Sequence, residues 1–207
     1  MMKKLVSIIL CLIMLFTLTS CGKVKRVKPL VWGFSDYNIN NYEKKREKIE
    51  YASDYLPPLD ELNGYADISY SYQHTNMVFF DVHSFAIFLE YPADIYEKKK
   101  LEVLSSYDFL EETIISEDGE SYQSPPAKFE YGEYILQTSV NSNVGNYNNS
   151  FCNSFAFIGV NDNKNRIVYC YTYDFDLDTF GSIERYESEQ DMITQYIDNF
   201  YDWNDLP

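Results

Sequence analysis

Residues 151–175 read FCNSFAFIGV-NDNKN-RIVYCYTYDF, in which two strand-like runs flank five polar residues. β-branched and aromatic residues fill both runs, as is typical of strands. The central NDNKN consists largely of residues that accept a positive φ, so it is suited to a hairpin loop. With all five residues in the loop, Val160 pairs with Arg166 and Cys170 faces Ala156. The stretch therefore predicts a β-hairpin.

The register of this hairpin decides the state of its two cysteines. It places Phe157 opposite Tyr169, an aromatic cross-strand pair that stabilises a hairpin. It also places Cys152 opposite Asp174, four residues along the strand from the position that faces Cys170. Four residues span about 13 Å, whereas a disulfide bridges at most about 7 Å between Cα atoms. We therefore expect both cysteines to be reduced thiols inside the sheet.

Further strand and helix patterns surround the hairpin. Polar and apolar residues alternate over 65–74 and 127–140, and 109–115 is interpreted as a further strand. The longer apolar run 77–91 indicates a central strand that is covered on both faces. Helical periodicity predicts helices over 42–56, from Pro92 to about 105, and from the N-cap Ser188 onward. The order of these elements predicts a single α+β domain over 41–207, a mostly antiparallel sheet with helices packed on one face.

The start of the chain has the layout of an export signal. Residues 1–4 form a short basic start with Lys3 and Lys4, residues 5–17 form an apolar run, and 18–21 read LTSC, a small residue directly before a cysteine. This segment resembles the signals of bacterial lipoproteins. The resemblance implies cleavage after Ser20 and transfer of a lipid anchor to Cys21, with acyl groups of the palmitate type. We therefore expect a signal peptide at 1–20, a lipidated cysteine and basic flexible tether at 21–40, and localisation on the extracytoplasmic side of the cell membrane.

The charge of the chain is strongly asymmetric. The net charge is −15, with 17 basic and 32 acidic residues. Two of the basic residues lie in the signal and four in the tether, which leaves 11 against the 32 acidic residues. The four tether residues are Lys23, Lys25, Arg26 and Lys28. Such a tether is attracted to anionic lipid, and the acidic domain argues against a nucleic-acid partner, because nucleic-acid binding depends on neutralising phosphates.

Three aspartates show the spacing of a calcium loop. Asp174, Asp176 and Asp178 stand at positions one, three and five of such a loop, where oxygen ligands converge on a cation. The glycine and glutamate of that pattern are replaced by Thr179 and Arg185. Alternating aspartates also occur on the solvent face of a strand end, and we favour this second interpretation. We expect no cofactor.

Catalytic motifs are weak in this sequence. A cysteine nucleophile needs a histidine, and the chain has two, His74 and His83. Cys152 and Cys170 both lie in apolar runs, which favours inert core thiols. The sequence contains no nucleophile-elbow serine, phosphate-binding loop or zinc-binding spacing.

The tyrosines are the one feature that indicates a recognition surface. One predicted strand carries Tyr70 and Tyr72, and another carries Tyr169, Tyr171 and Tyr173. Exposed aromatic rings beside carboxylates bind sugars or the apolar patch of a partner. The alternative, which we favour, is that these rings fill a sheet face or lie beneath a helix.

Together these features favour a lipid-anchored, acidic, tyrosine-rich domain that is a non-enzymatic binding or interaction module, with a protein or glycan as partner. Two other classes stay open. One is a hydrolase of envelope polymers that uses a pair of carboxylates. The other is an acidic inhibitor or immunity protein for a basic exported enzyme.

Overall fold

The computed structural model describes residues 32–77, 80–140, 154–174, 180–201 and 203. Eight strands of this part form one antiparallel sheet in the order β1-β2-β3-β9-β8-β7-β4, with β6 also pairing with β7, while β5 and β10 pair separately. The strands are β1 (Trp32–Asp36), β2 (Asp67–Met77), β3 (Phe80–Glu90), β4 (Asp108–Phe109), β5 (Ser121–Tyr122), β6 (Lys128–Tyr131), β7 (Tyr134–Val140), β8 (Ser154–Asn161), β9 (Arg166–Asp174) and β10 (Gly181–Ser182).

Four α-helices accompany the sheet in the described ranges. They are α1 (Tyr42–Arg46), α2 (Ala52–Tyr55), α3 (Ala93–Ser106) and α4 (Glu189–Phe200), with short 3₁₀ turns at Ile39–Asn41 and Ile183–Arg185. The predicted α+β class is confirmed. None of the helices in these ranges combines the length and apolar character needed to cross a membrane.

The sheet is covered on both faces. Phe85, Ile87 and Leu89 of β3 pack with α1–α3 on one face, while Ala86 and Phe88 pack with α4 on the other. The predicted placement of helices on one face thus holds for α1–α3, and α4 lies opposite. β3 lies between β2 and β9, and its buried residues on both faces confirm the predicted central strand.

Two predicted segments differ in the structure. The single helix expected over 42–56 is broken into α1 and α2, because Tyr51 adopts a left-handed conformation with φ of 58°. The break lets Arg46 donate to the Leu56 carbonyl at 2.7 Å, and it turns Ala52 and Tyr55 toward the core. The segment 21–40, expected to be a tether, contains β1, which pairs with β2 at the sheet edge.

The predicted strand over 109–115 is also wrong in extent. Only Asp108–Phe109 forms a strand there, and Ile115 makes a single bridge to Tyr122.

The predicted starts of α3 and α4 agree with the structure. Pro92 directly precedes α3, and the Ser188 side chain accepts a hydrogen bond from the Asp191 backbone N–H at 3.1 Å.

The β8–β9 hairpin forms as predicted, but its register differs by one residue. Asn161 pairs with Arg166, so the loop has four residues rather than five. Cys170 therefore faces Phe157, and the predicted pairing of Phe157 with Tyr169 is wrong. Asn161 joins the strand because its side chain can accept a hydrogen bond from the Lys164 N–H at 3.1 Å, and this bond stabilises the four-residue loop. Cys152 lies outside the described residues.

Candidate functional site

The β2–β3 hairpin brings the two histidines of the chain together. His74 on β2 pairs directly with His83 on β3. Both histidines continue the sheet face that carries Tyr72 and Phe85, since side chains two residues apart on a strand share a face. Their imidazole rings stack in parallel, with centroids 4.5 Å apart and an interplanar angle of 5°.

Asp81 completes the cluster from a position two residues before His83. Its carboxylate accepts hydrogen bonds from His74 Nε2 and, at 3.0 Å, from His83 Nε2. Burial acts to raise the pKa of Asp81, but the hydrogen bonds and charges of the two imidazoles outweigh burial and hold the pKa below its ordinary value. The carboxylate is therefore ionised, and one oxygen faces each imidazole.

Tyr72 orients the second histidine. Its hydroxyl lies 2.7 Å from His83 Nδ1. Burial lowers the pKa of His83 and so favours the neutral ring, although the Asp81 carboxylate opposes this shift. Since Asp81 accepts at Nε2, the proton of a neutral His83 lies on Nε2, and the Tyr72 hydroxyl donates to Nδ1. Burial also raises the pKa of Tyr72, so this hydroxyl keeps its proton.

Neighbouring side chains contact the cluster but leave it partly exposed to solvent. The exposed Phe34 ring of β1 contacts His74 edge-on, at 5.4 Å between centroids. Lys45 of α1 lies over Tyr72, with Nζ 3.7 Å from the ring centroid, and forms an ion pair with Asp36 at 2.6 Å. The side chains of His74, His83 and Asp81 stay 23%, 12% and 45% exposed. All three side chains are therefore partly accessible from solvent.

The arrangement offers two imidazole nitrogens and a carboxylate oxygen at one point. One ligand atom from each of the three residues lies within 4.8 Å of the others. In the part of the chain that the structure describes, this is the one group of at least three His, Cys, Asp or Glu side chains with that convergence. The cluster can therefore bind a cation or donate hydrogen bonds to an anion.

The predicted tyrosine surface is mostly buried. Tyr70, Tyr72, Tyr169 and Tyr171 are at most 4% exposed, and only Tyr173 is half-buried. Tyr171 donates to the Glu50 backbone carbonyl and Tyr173 to the Glu50 carboxylate at 3.1 Å, which ties both to the segment between α1 and α2. The rings thus lie beneath the helices, as the alternative interpretation expected, and an open face built from all five is not present.

One of these tyrosines lines a small cavity. Tyr169, Tyr91 and Tyr107 lie at a cavity of about 140 Å³ beside α3. Pockets for drug-sized ligands begin at roughly 300 Å³. This cavity is therefore smaller than a pocket for a drug-sized ligand.

Of the other predicted site residues, the structure describes Asp174. It is 8% exposed and accepts a hydrogen bond from the Tyr196 hydroxyl at 3.4 Å. Asp176, Asp178 and the predicted lipidation residue Cys21 lie outside the described residues.

Sequence reasoning missed the cluster although both histidines were noticed. They were considered only as partners for a cysteine, and Asp81 was one of many acidic residues. The available signal was the register of the hairpin: if Met77 pairs with Phe80, then His74 faces His83 and Asp81 lies on the same face. No family model matches the chain, and no curated protein or solved structure shows significant similarity to it.

Proposed function

We propose that the protein is a lipid-anchored, extracytoplasmic domain with a non-enzymatic binding function. The anchor is Cys21, which follows the apolar run 5–17 and the small residue Ser20. Two acyl chains of a diacylglyceryl group hold a protein at a membrane, where a single chain gives only marginal binding.

The charge distribution supports an orientation at the membrane. The basic tether residues lie next to the acylated cysteine and are attracted to anionic headgroups. The remainder, with 11 basic and 32 acidic residues after Lys28, is repelled by the same surface. The acidic domain is therefore repelled from the lipid surface to which the tether is attracted.

The observation that carries a binding role is the cluster of His74, Asp81 and His83. It places three partly exposed polar side chains at one point. The Tyr72 hydroxyl, which lies 2.7 Å from His83 Nδ1, has a pKa raised by burial. Burial likewise raises the pKa of the Cys170 thiol, which is 1% exposed. The cluster also contributes a single carboxylate, whereas the hydrolase alternative needs a pair.

The experiment replaces the anchor residue in the full-length chain expressed in a bacterium. Cys21→Ser should stop both signal cleavage and lipid labelling, while the control Cys152→Ser should keep both. Intact-mass measurement of the membrane fraction determines whether Cys21 is modified. Protease treatment of intact cells determines on which side of the membrane the domain lies. An unmodified Cys21 with the signal still attached, or a domain protected from external protease in cells that lack an outer barrier, would overturn the proposal.

A further inference from the structure

We propose that His74, Asp81 and His83 bind one divalent transition-metal ion of the Zn²⁺ type, through the two Nε2 atoms and a carboxylate oxygen. This inference rests on the binding function proposed above and names the ligand class of the same site. It assigns a shared role to the two histidines of the chain and to the carboxylate between them.

The geometry of the cluster is close to that of a bound ion. Ligands about 2.0–2.1 Å from a tetrahedral zinc lie about 3.4 Å from one another. His83 Nε2 and Asp81 Oδ2 are 3.0 Å apart, and one ligand atom from each of the three residues falls within 4.8 Å of the others. Shifts of about an ångström or less, which side-chain rotation supplies, would bring the three atoms around one centre.

The ligand types select the class of metal. Imidazole nitrogen suits zinc, copper, nickel and iron, whereas calcium and magnesium prefer oxygen ligands in larger number. Two imidazoles and one carboxylate supply three of the four ligands of a tetrahedral zinc, which leaves one position for a further ligand. Asp81 is the most exposed of the three side chains, at 45%.

The surroundings orient the ligands before a metal binds. Ligand histidines commonly donate their second ring N–H to a neighbouring acceptor, which fixes the ring and raises its basicity. When a metal binds His83 Nε2, the ring proton lies on Nδ1, and Nδ1–H can donate a hydrogen bond to the Tyr72 oxygen at 2.7 Å. The edge of Phe34 contacts the ring of His74. The two stacked rings have to tilt from their parallel arrangement so that both in-plane lone pairs point to one ion.

Electrostatics at the site favour a cation. Imidazoles bind a metal in the neutral form and a carboxylate in the ionised form, so the ligand set carries a net charge of −1. The domain around it is strongly acidic. Lys45 lies over the Tyr72 ring next to the cluster, and its ammonium is paired with Asp36 at 2.6 Å. Its repulsion of a metal ion is thus partly offset by a carboxylate on β1.

The test uses the full-length chain purified in detergent and freed of metal, titrated with ZnCl₂ by calorimetry, with CaCl₂ and MgCl₂ as comparison salts. X-ray absorption at the zinc edge counts the imidazole ligands, and every imidazole counted belongs to His74 or His83. The variants are His74→Gln and Asp81→Asn, both at side chains exposed enough to tolerate replacement. The matched control is Asp67→Asn, which removes an exposed carboxylate at the far end of β2.

We expect one zinc per chain with two imidazole ligands, a loss of affinity of at least about tenfold in both variants, no loss in Asp67→Asn, and no comparable binding of calcium or magnesium. Circular dichroism of each variant should match the parent, and a His83→Gln variant provides a second ligand removal if one of them fails to fold. Zinc binding that is equal in all variants, or a zinc site without imidazole, would assign the metal to surface carboxylates and overturn the inference. So would the absence of zinc binding.

Failure of the metal site and failure of the anchored domain are separable. A chain that carries lipid on Cys21 but binds no zinc overturns the metal site alone. A chain that binds zinc through His74 and His83 but keeps an unmodified Cys21 supports the metal site and overturns the anchor.

Discussion

His74 and His83 stack across the β2–β3 hairpin with ring centroids 4.5 Å apart, and both direct Nε2 at the carboxylate of Asp81. Two protonated imidazoles in this arrangement would repel each other at short range. One cation shared at the Nε2 side would instead interact with both rings and with the Asp81 carboxylate. A hairpin that pairs two such residues sets their relative position more tightly than two loops would, because the strand ladder restricts both backbones.

Tyr72→Phe should weaken zinc binding by about 10- to 100-fold, as is typical for loss of a group that supports a metal ligand. The variant removes the oxygen 2.7 Å from His83 Nδ1 and leaves the ring in place. Tyr173→Phe is the matched control. Its ring also lies beside His83, but its hydroxyl donates to Glu50 at 3.1 Å. Calorimetry that finds the same affinity in both variants would show that the Tyr72 hydroxyl has no role at the site.

Gly159→Ala should destabilise the domain by about 1–3 kcal/mol, the usual cost of overpacking a core. A Cβ at this position in β8 would lie 2.6 Å from Val168 Cγ1 and 3.0 Å from Leu136 Cγ. Urea unfolding measures the loss. Combining it with Val168→Ala should cost less than the sum of the two single changes, because the smaller side chain makes room. Strict additivity would contradict the close packing of β8 against β9.

Asn165→Val should destabilise the β8–β9 hairpin by about 1–2 kcal/mol, whereas Asn165→Gly should change the stability little. Asn165 ends the loop with φ of 50°, a conformation that asparagine accepts and a β-branched residue does not. Thermal unfolding of the two variants side by side gives the comparison. A valine variant as stable as the glycine variant would mean that the loop does not hold this conformation.

Cys170 should be unreactive in the native protein and reactive once the protein unfolds. Its side chain is 1% exposed, and burial raises the pKa of the thiol, so little of the reactive thiolate is present near neutral pH. With Cys21 lipidated as proposed, the mature chain denatured without reductant should show two free thiols, Cys152 and Cys170. A count of zero with a monomeric mass would establish a disulfide between them and contradict the expectation.

The tether should bind anionic vesicles in a salt-sensitive way. A soluble chain that begins at residue 21 and carries Cys21→Ser keeps the four basic residues of the tether, whereas a chain that begins at Leu30 lacks them. The first should bind weakly to vesicles that contain phosphatidylserine and release as salt rises, because screening shortens the reach of the charges. Vesicle sedimentation reads the bound fraction. Equal binding of both chains would show that the basic residues have no role in membrane binding.

The sequence by itself determined the class of fold and several of its elements. Alternation over 65–74 and the apolar run over 77–91 correctly predicted β2 and the central β3. Pro92 and Ser188 marked the starts of α3 and α4. These features are local, because strand and helix periods and capping hydrogen bonds involve residues within a few positions of one another.

Only the tertiary structure decided the registers, the break at Tyr51 and the candidate site. A shift of one residue in the β8–β9 loop changed every cross-strand partner, including that of Cys170, although the hairpin itself was predicted. In the same way, the register of β2 against β3 places His74 opposite His83, with Asp81 beside them. Such choices depend on how both strands and their loop pack together, and the free energy that separates neighbouring registers comes from side chains distant in sequence.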